Sequence, residues 1–230
     1  MAAPTRFPSG VTNVASSDPL GQFGLPDPSS WHVYFNDFDE DIPSDWTETA
    51  TSAGTGTSAA VVTDADGGVL QITTAANEND GLFIESPGES FLIETGKKAI
   101  IKARFRVGDA IQSDLIIGLH STDTTPLDAT MRFAFISEDG SAALFFNVDD
   151  NTTDADSSTV ATLADDTWTE VAAYYDGKGN IALYLNGAQV TSMSSVGVPG
   201  AEMAIGFGYL NGAAGAETTD FDYILVAKER

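Results

Sequence analysis

The sequence contains no cysteine and only two histidines among its 230 residues. The absence of cysteine excludes disulfide bonds, thiol catalysis and thiolate metal sites. Neither His32 nor His120 has a serine, an aspartate or a second histidine at the spacing of a catalytic triad or a zinc site. The sequence therefore predicts no cofactor and no transition-metal centre.

Basic residues are also scarce, because ten Lys and Arg stand against 34 Asp and Glu, for a net charge of −24. An acidic surface repels nucleic acids and anionic membranes, which proteins bind largely through Lys and Arg. We expect neither as a partner. No segment approaches the roughly 20 apolar residues of a membrane helix. The first residues lack the apolar run of a secretory signal, so we expect synthesis and assembly in a cytoplasm.

Residues 167 to 190 carry the clearest structural pattern in the chain. Two apolar runs, 168 to 175 and 181 to 185, are separated by a loop that contains Gly177 and Gly179, and glycine permits the positive φ of a tight reversal. Asn186-Gly187 follows at once, and an Asn-Gly pair between apolar runs favours a two-residue type I′ turn. We predict a three-stranded meander whose inner face is covered by a second sheet, that is, a β-sandwich.

The remaining pattern is also β, with about a dozen short strands between Gly, Asp and Ser turns and no sustained helical period. Residues 98 to 107 alternate most clearly, with apolar side chains on one face and basic ones on the other. Five of the ten basic residues lie at positions 97 to 106. Two interpretations stay open for this stripe: ion pairs with cross-strand Asp and Glu, or a charged surface for a partner.

Residues 1 to 30 differ in composition from residues 31 to 230, which we assign to the sandwich domain. They hold five prolines and scattered apolar residues, and this proline density prevents a helix or a central strand. We predict an extended docking arm that lies on its own sandwich, on a neighbouring subunit or on a larger assembly. The predicted contact residues of this arm are Thr5, Arg6, Phe7, Pro8, Val11, Leu20, Phe23 and Leu25.

Three parts of residues 31 to 228 together resemble the concanavalin A-like lectin/glucanase jelly roll. They are Phe35-Asn-Asp-Phe38 with the following Trp46, the block from Trp168 to Leu183-Tyr-Leu-Asn-Gly187, and the closing Asp220-Phe-Asp-Tyr-Ile-Leu225. The resemblance implies that the first and last strands pair in one sheet. It implies little about activity, because this fold hosts glycosidases, lyases, lectins and inert scaffolds.

The whole chain also resembles virion structural proteins of tailed bacteriophages, especially marine ones, through residues 5 to 12, residues 25 to 28 and the terminal Ala227-Lys-Glu-Arg230. This resemblance implies a decoration or cement protein on the outer surface of the capsid. The implied partner is the major capsid protein, and the implied state is a homo-oligomer, with a trimer as the first expectation. The arm would be the attachment device.

Catalysis has little support in the sequence. Glycosidases of this fold place carboxylates on one strand as Glu-x-Asp-x-x-Glu, and no strand here has that pattern. Asp220 and Asp222 have the spacing of two carboxylates on one face, but we expect them to cap a turn or to face solvent. Calcium in the acidic loop from Asp149 to Asp156 stays open as an alternative, because hard cations take oxygen ligands.

We therefore predict a non-enzymatic virion protein with no catalytic residues. The alternative is a carbohydrate-binding module that recognises host-surface glycans, and an enzyme on polysaccharides ranks third. Lectin sites on this fold combine an aromatic platform with Asp and Asn in rim loops. We expect most of the candidate aromatics to pack in the core, namely Trp31, Trp46, Tyr174, Tyr175 and Tyr209.

Overall fold

The computed structural model describes residues 28–40, 42–51, 56–63, 65, 67–152, 156–194 and 197–230. The docking arm predicted for residues 1 to 30 therefore lies outside the described residues, apart from a turn at 28–30. The described chain is nearly all β. Its single helical element is a 3₁₀ turn, Pro126–Asp128.

Fifteen strands follow one another along the described chain. They are β1 (Trp31–Asn36), β2 (Thr47–Thr51), β3 (Ser58–Val61), β4 (Leu70–Thr73), β5 (Gly81–Glu85), β6 (Ala99–Val107), β7 (Ser113–His120), β8 (Arg132–Ser137), β9 (Ala143–Asp149), β10 (Asp156–Thr162), β11 (Thr169–Tyr175), β12 (Asn180–Leu185), β13 (Ala188–Ser194), β14 (Ala204–Asn211) and β15 (Thr218–Glu229).

Two antiparallel sheets form a sandwich, as the sequence predicts. The eight-stranded sheet has the order β13-β12-β11-β6-β15-β4-β3, and β1 also pairs with β15. The seven-stranded sheet has the order β10-β9-β8-β7-β14-β5-β2. None of the helical structure in the described residues is long and apolar enough to span a membrane.

The predicted meander of β11, β12 and β13 is confirmed. Its second turn has Asn186 at φ 50° and Gly187 at φ 80°, the left-handed pair that a type I′ turn needs. Leu185 pairs with Ala188 across this turn. The Asn186 backbone N–H also donates to the Glu170 carbonyl at 2.8 Å, which holds the turn against β11.

The core lies between the sheets and is rich in phenylalanine. Phe133 and Phe135 each meet Phe146 edge to face, with ring centroids 4.9 Å apart. All three rings are fully buried, and each such burial contributes about 1.5–3 kcal/mol. On β6 the predicted inner face of Ala99, Ile101, Ala103, Phe105 and Val107 is buried in this core.

The first and last strands pair, as the jelly-roll resemblance implies. β1 runs antiparallel to β15 from Trp31 opposite Glu229 to Asn36 opposite Ile224. The other edge of β15 pairs with β6 over most of its length, with an irregularity between Phe221 and Tyr223. The last strand therefore lies at the centre of the eight-stranded sheet.

The basic stripe on β6 is neutralised by acids on neighbouring strands, which confirms the first of its two interpretations. Lys102 lies 3.1 Å from Glu170, and Arg106 lies 2.6 Å from Asp220. Arg104 pairs with Asp222, and its guanidinium also lies over the Trp168 ring at 4.4 Å.

The expectation that Asp220 and Asp222 cap a turn or face solvent is wrong. Both lie in β15 and pair with β6 arginines, and Asp220 also accepts a hydrogen bond from the Gln71 amide at 2.8 Å. The physical reason is the register of the sheet, which places Asp220 directly opposite Arg106.

We predict that Gly187→Ala lowers the free energy of unfolding by about 1–2 kcal/mol, because a Cβ disfavours the left-handed conformation. There is open space around this position, so the loss reports backbone strain alone. Urea unfolding measures the change. Gly88→Ala is the matched control, since it also has open space but no positive φ. An equal loss in both variants would contradict the type I′ assignment.

Candidate functional site

The outward face of the seven-stranded sheet has a floor of small residues at its centre. Gly118, Ala134, Gly206 and Gly208 occupy outward positions on β7, β8 and β14. A Cβ on Gly206 would lie 1.9 Å from His120 Nε2, and a Cβ on Gly208 would lie 2.3 Å from Phe83 Cδ1. Glycine is therefore required on β14 so that the side chains of His120 and Phe83 can lie across it.

His120 is fully buried on this face. Its Nδ1 lies 3.0 Å from the Ser121 carbonyl, so Nδ1 carries the proton and donates it. Nε2 is then the acceptor nitrogen, and it has no hydrogen-bond partner among the described residues. Burial lowers the pKa of His120 and keeps the ring neutral.

Glu85 lies next to this histidine, with Oε1 3.6 Å from His120 Nδ1. The same oxygen accepts a hydrogen bond from the Asp123 backbone N–H at 3.1 Å. Burial raises the pKa of Glu85, and the hydrogen bond from Asp123 opposes part of this shift. Glu89 accepts two further bonds, from the N–H and the hydroxyl of Thr122. Two carboxylates thus hold the first residues of the loop 121–131 against the sheet.

Arg132 holds the far part of the same loop. It stands opposite His120 in the sheet, donates to the Leu127 carbonyl, and pairs with Asp149 at 3.2 Å. Its Nε and the side-chain oxygen of Asn147 on β9 are buried without a hydrogen-bond partner in the described structure. Leu127 packs against the outward cluster of Phe83, Ile116, Ala134 and Ile136. The loop therefore covers the centre of the face.

Beside this loop, described residues line two hollows on the face. The polar groove, of about 310 Å³, is lined by Thr47, Thr49, Glu85, Ser86, Pro87, Thr122, Asp123 and Thr124. The second groove, of about 300 Å³, is lined by Phe83, Asp114, Thr125, Leu127, Asp128, Ile136, Glu138, Asp139 and Leu210. Burial raises the pKa of Asp114 in the second groove, and the charges of Asp139 and Glu138 raise it further.

Among the described residues, few of those singled out from the sequence lie at this site. The predicted arm contacts Thr5, Arg6, Phe7, Pro8, Val11, Leu20, Phe23 and Leu25 lie outside the described residues. Of the candidate aromatics, Tyr175 and Tyr209 are fully buried in the core and Trp46 packs against it, as expected. Asp149, from the acidic loop, instead pairs with Arg132. No group of acids and histidines within the described ranges is arranged to hold a metal ion.

Sequence reasoning missed the cluster of Glu85, His120 and Arg132. The only available signal was their position at strand ends, since Glu85 and His120 end β5 and β7 and Arg132 begins β8. These ends meet because β14, a strand from near the end of the chain, inserts between β5 and β7.

The sequence matches the model of the concanavalin A-like lectin/glucanases superfamily over residues 101–222. No curated protein matches the chain. Among solved structures, a protein of unknown function from Shewanella oneidensis MR-1, SO2946, aligns at 18% identity and a TM-score of 0.60 over 94% of this chain and 95% of its own.

Two further structures share the fold. An endo-1,3-beta-glucanase from Streptomyces sioyaensis aligns at 13% identity and a TM-score of 0.62, over 88% of this chain and 98% of its own. The carbohydrate recognition domain of Emp47p aligns at 13% identity and a TM-score of 0.58, with the same coverage. At these identities the likeness extends to the fold alone.

We predict that His120 makes the protein less stable as the pH falls below 6.5, the ordinary pKa of a histidine side chain. Its folded pKa is lowered, so the unfolded chain binds the proton more readily, and stability is lost as the pH falls through the folded pKa. Urea unfolding of the wild type and of His120→Asn from about pH 8 to about pH 5 measures this as a shrinking difference in unfolding free energy.

The asparagine amide in His120→Asn can still donate to the Ser121 carbonyl. The chain has two histidines, so the ring signal that disappears in a His32→Asn variant belongs to His32. The remaining signal then reports the titration of His120 by NMR. A His120 ring that titrates above 6.5 would contradict the prediction.

Proposed function

Because the chain belongs to the concanavalin A-like lectin/glucanases superfamily, we propose that it is a non-enzymatic carbohydrate-binding module whose binding site is the polar groove. The observation that carries the proposal is the lining of this groove, where five hydroxyl side chains and two carboxylates surround about 310 Å³. Hydroxyls both donate and accept, and carboxylates accept, which matches the hydroxyl groups of a sugar. The volume lies at the lower end of the range of ligand pockets.

The charge of the groove narrows the ligand class. Glu85 and Asp123 line it, and no basic residue does. Sugars that carry sulfate or carboxylate groups would therefore be repelled, both here and by a surface of net charge −24. The expected ligands are neutral or amino sugars at the surface of a host cell.

The fold of known sugar-binding proteins is consistent with this proposal. One similar structure is a glucanase, and another is a carbohydrate recognition domain.

The arrangement of carboxylates favours binding over hydrolysis. A retaining glycosidase needs two carboxyl groups about 5–5.5 Å apart and free to react. The outward positions of the central strands β7, β8 and β14 carry a single carboxylate, Asp114. In the polar groove, Glu85 accepts the Asp123 N–H, and the Asp123 carboxylate accepts the N–H and hydroxyl of Thr125. Both carboxylates thus hold the loop in place.

We predict that Thr47→Val with Thr49→Val weakens glycan binding at least about tenfold, which corresponds to the loss of one or two hydrogen bonds. Valine keeps the size of threonine and favours a strand, so β2 should persist. A glycan array identifies the ligand, and calorimetry then compares the variants. Thr191→Val on β13 of the other sheet is the matched control.

An array with no bound glycan, or equal affinity of the double variant and the control, would contradict the proposal that the polar groove binds glycans. Release of reducing sugars from mixed polysaccharides would contradict the non-enzymatic part of the proposal.

A second proposal concerns attachment. We propose that the protein decorates the outer surface of a phage capsid as a homo-oligomer assembled in the host cytoplasm, with the N-terminal segment bound to the major capsid protein. The supporting observation is an anchor at the place where this segment meets the sandwich. The Arg230 backbone N–H donates to the Ser30 carbonyl at 3.0 Å, and Arg230 Nε donates to the Pro28 carbonyl at 3.2 Å. The hydrogen bonds of Arg230 therefore fix the position at which the N-terminal segment joins the sandwich.

We predict that deletion of residues 1 to 27 abolishes co-sedimentation with empty phage heads, because the deletion removes all eight predicted contact residues. Circular dichroism at room temperature should still show a folded β protein, since the core lies in residues 38 to 226. A chain with residues 1 to 27 in scrambled order is the control for length and charge. Full occupancy of heads by the deleted chain would contradict attachment through this segment.

A further inference from the structure

The outward face of the eight-stranded sheet carries an apolar patch that crosses several strands. One row of outward residues runs from Val33 through Ala227, Ile100 and Tyr174 to Ala182 on β12. Ala172 and Tyr184 face each other in the adjacent row. These residues lie on the opposite face from the core, since their neighbours Ile101 and Ala173 point inward. We call this set the outer patch.

Most of the outer patch is buried although it faces away from the core, and only Val33 and Tyr174 in it are partly exposed. Ile100 and Ala227 are 0% exposed, and Tyr184 is 3% exposed. A tyrosine that lies on an open sheet face leaves the upper side of its ring in contact with water, so burial this complete requires atoms above the sheet. Within the described ranges no strand or helix forms a layer there, because the 3₁₀ turn packs on the other sheet.

The N-terminal segment is in the right place to supply such a layer. It joins the sandwich at Pro28, directly before β1, and β1 borders the patch through the pair Val33 and Ala227. Twenty-seven residues can extend over about 90 Å. The five strands of the patch, β1, β15, β6, β11 and β12, lie about 4.8 Å apart and so span only about 19 Å from the first to the last. The segment can therefore cross the patch from its point of attachment.

The composition of the N-terminal segment also suits contact with the apolar outer patch. It contains apolar residues at Phe7, Val11, Leu20, Phe23 and Leu25 and, with Arg6, Asp18 and Asp27, few charges. Its prolines favour an extended backbone that needs no partner strand. An extended apolar chain on an apolar sheet face removes water from both surfaces.

We propose that the N-terminal segment of the same chain lies across the outer patch and covers it as a third layer. The sandwich would then have two covered outer faces, with the loop 121–131 over one and this segment over the other. The inference is independent of glycan binding, because the polar groove lies on the opposite sheet.

Disulfide trapping tests the proposal in the full chain, which has no native cysteine. Phe7→Cys and Phe23→Cys are each combined with Ala182→Cys in the patch. We expect at least one pair to form an intramolecular disulfide at least tenfold faster than the same cysteine paired with Ile111→Cys. Ile111 is the control because it is exposed and lies in the loop between β6 and β7. Equal rates for patch and control pairs, or a crosslinked dimer as the main product, would overturn the proposal.

A second measurement does not depend on the geometry of any one cysteine pair. The single variant Ala182→Cys should react with a soluble thiol reagent at least tenfold more slowly than Ile111→Cys. Adding Phe7→Asp and Phe23→Asp should remove most of that protection, because two charges oppose docking on an apolar surface. Protection that is unchanged by these two substitutions would show that the N-terminal segment is not the cover.

Discussion

The pairing of the last strand with strands from the start and middle of the chain is the constraint on which the structure depends. β15 lies between β6 on one side and both β4 and β1 on the other, so a single strand joins three parts of the eight-stranded sheet. The ion pairs of Asp220 with Arg106 and Asp222 with Arg104 reinforce one of these contacts. Because such long-range pairings cost loop entropy, the sheet closes only when the end of the chain is in place.

The two outer faces follow from this closed sandwich but differ in their chemistry. On the seven-stranded sheet, glycines at the centre lower the floor, and Glu85, Glu89 and Arg132 fix a loop above it through its backbone. If this groove binds a sugar as proposed, the loop hydroxyls that line it are already in position, which lowers the entropic cost of binding. On the eight-stranded sheet the outer patch is apolar and mostly buried beside the neutralised basic stripe, and an apolar surface of this kind suits a covering chain and not a sugar.

The sequence was sufficient for features that depend on local patterns. The Asn186-Gly187 turn and the alternation on β6 follow from neighbouring residues, and the pairing of first and last strands came from the jelly-roll resemblance. The sequence left two interpretations of the basic stripe open, and the register of β6 with β15 decides between them. The cluster of Glu85, His120 and Arg132 could not be predicted in this way. Its members belong to three strands that meet only because β14 inserts between β5 and β7, and a strand order of this kind leaves no local signature.

The N-terminal segment links the two proposals that concern it, because one segment cannot occupy two surfaces at once. If it covers the outer patch in the free protein, attachment to a capsid requires it to leave, and the exposed patch then has to bury itself against the shell or another copy. The net affinity for the shell is thus the difference between two docking free energies. A chain locked by the disulfide from position 7 or 23 to position 182 should then fail to bind heads until the disulfide is reduced.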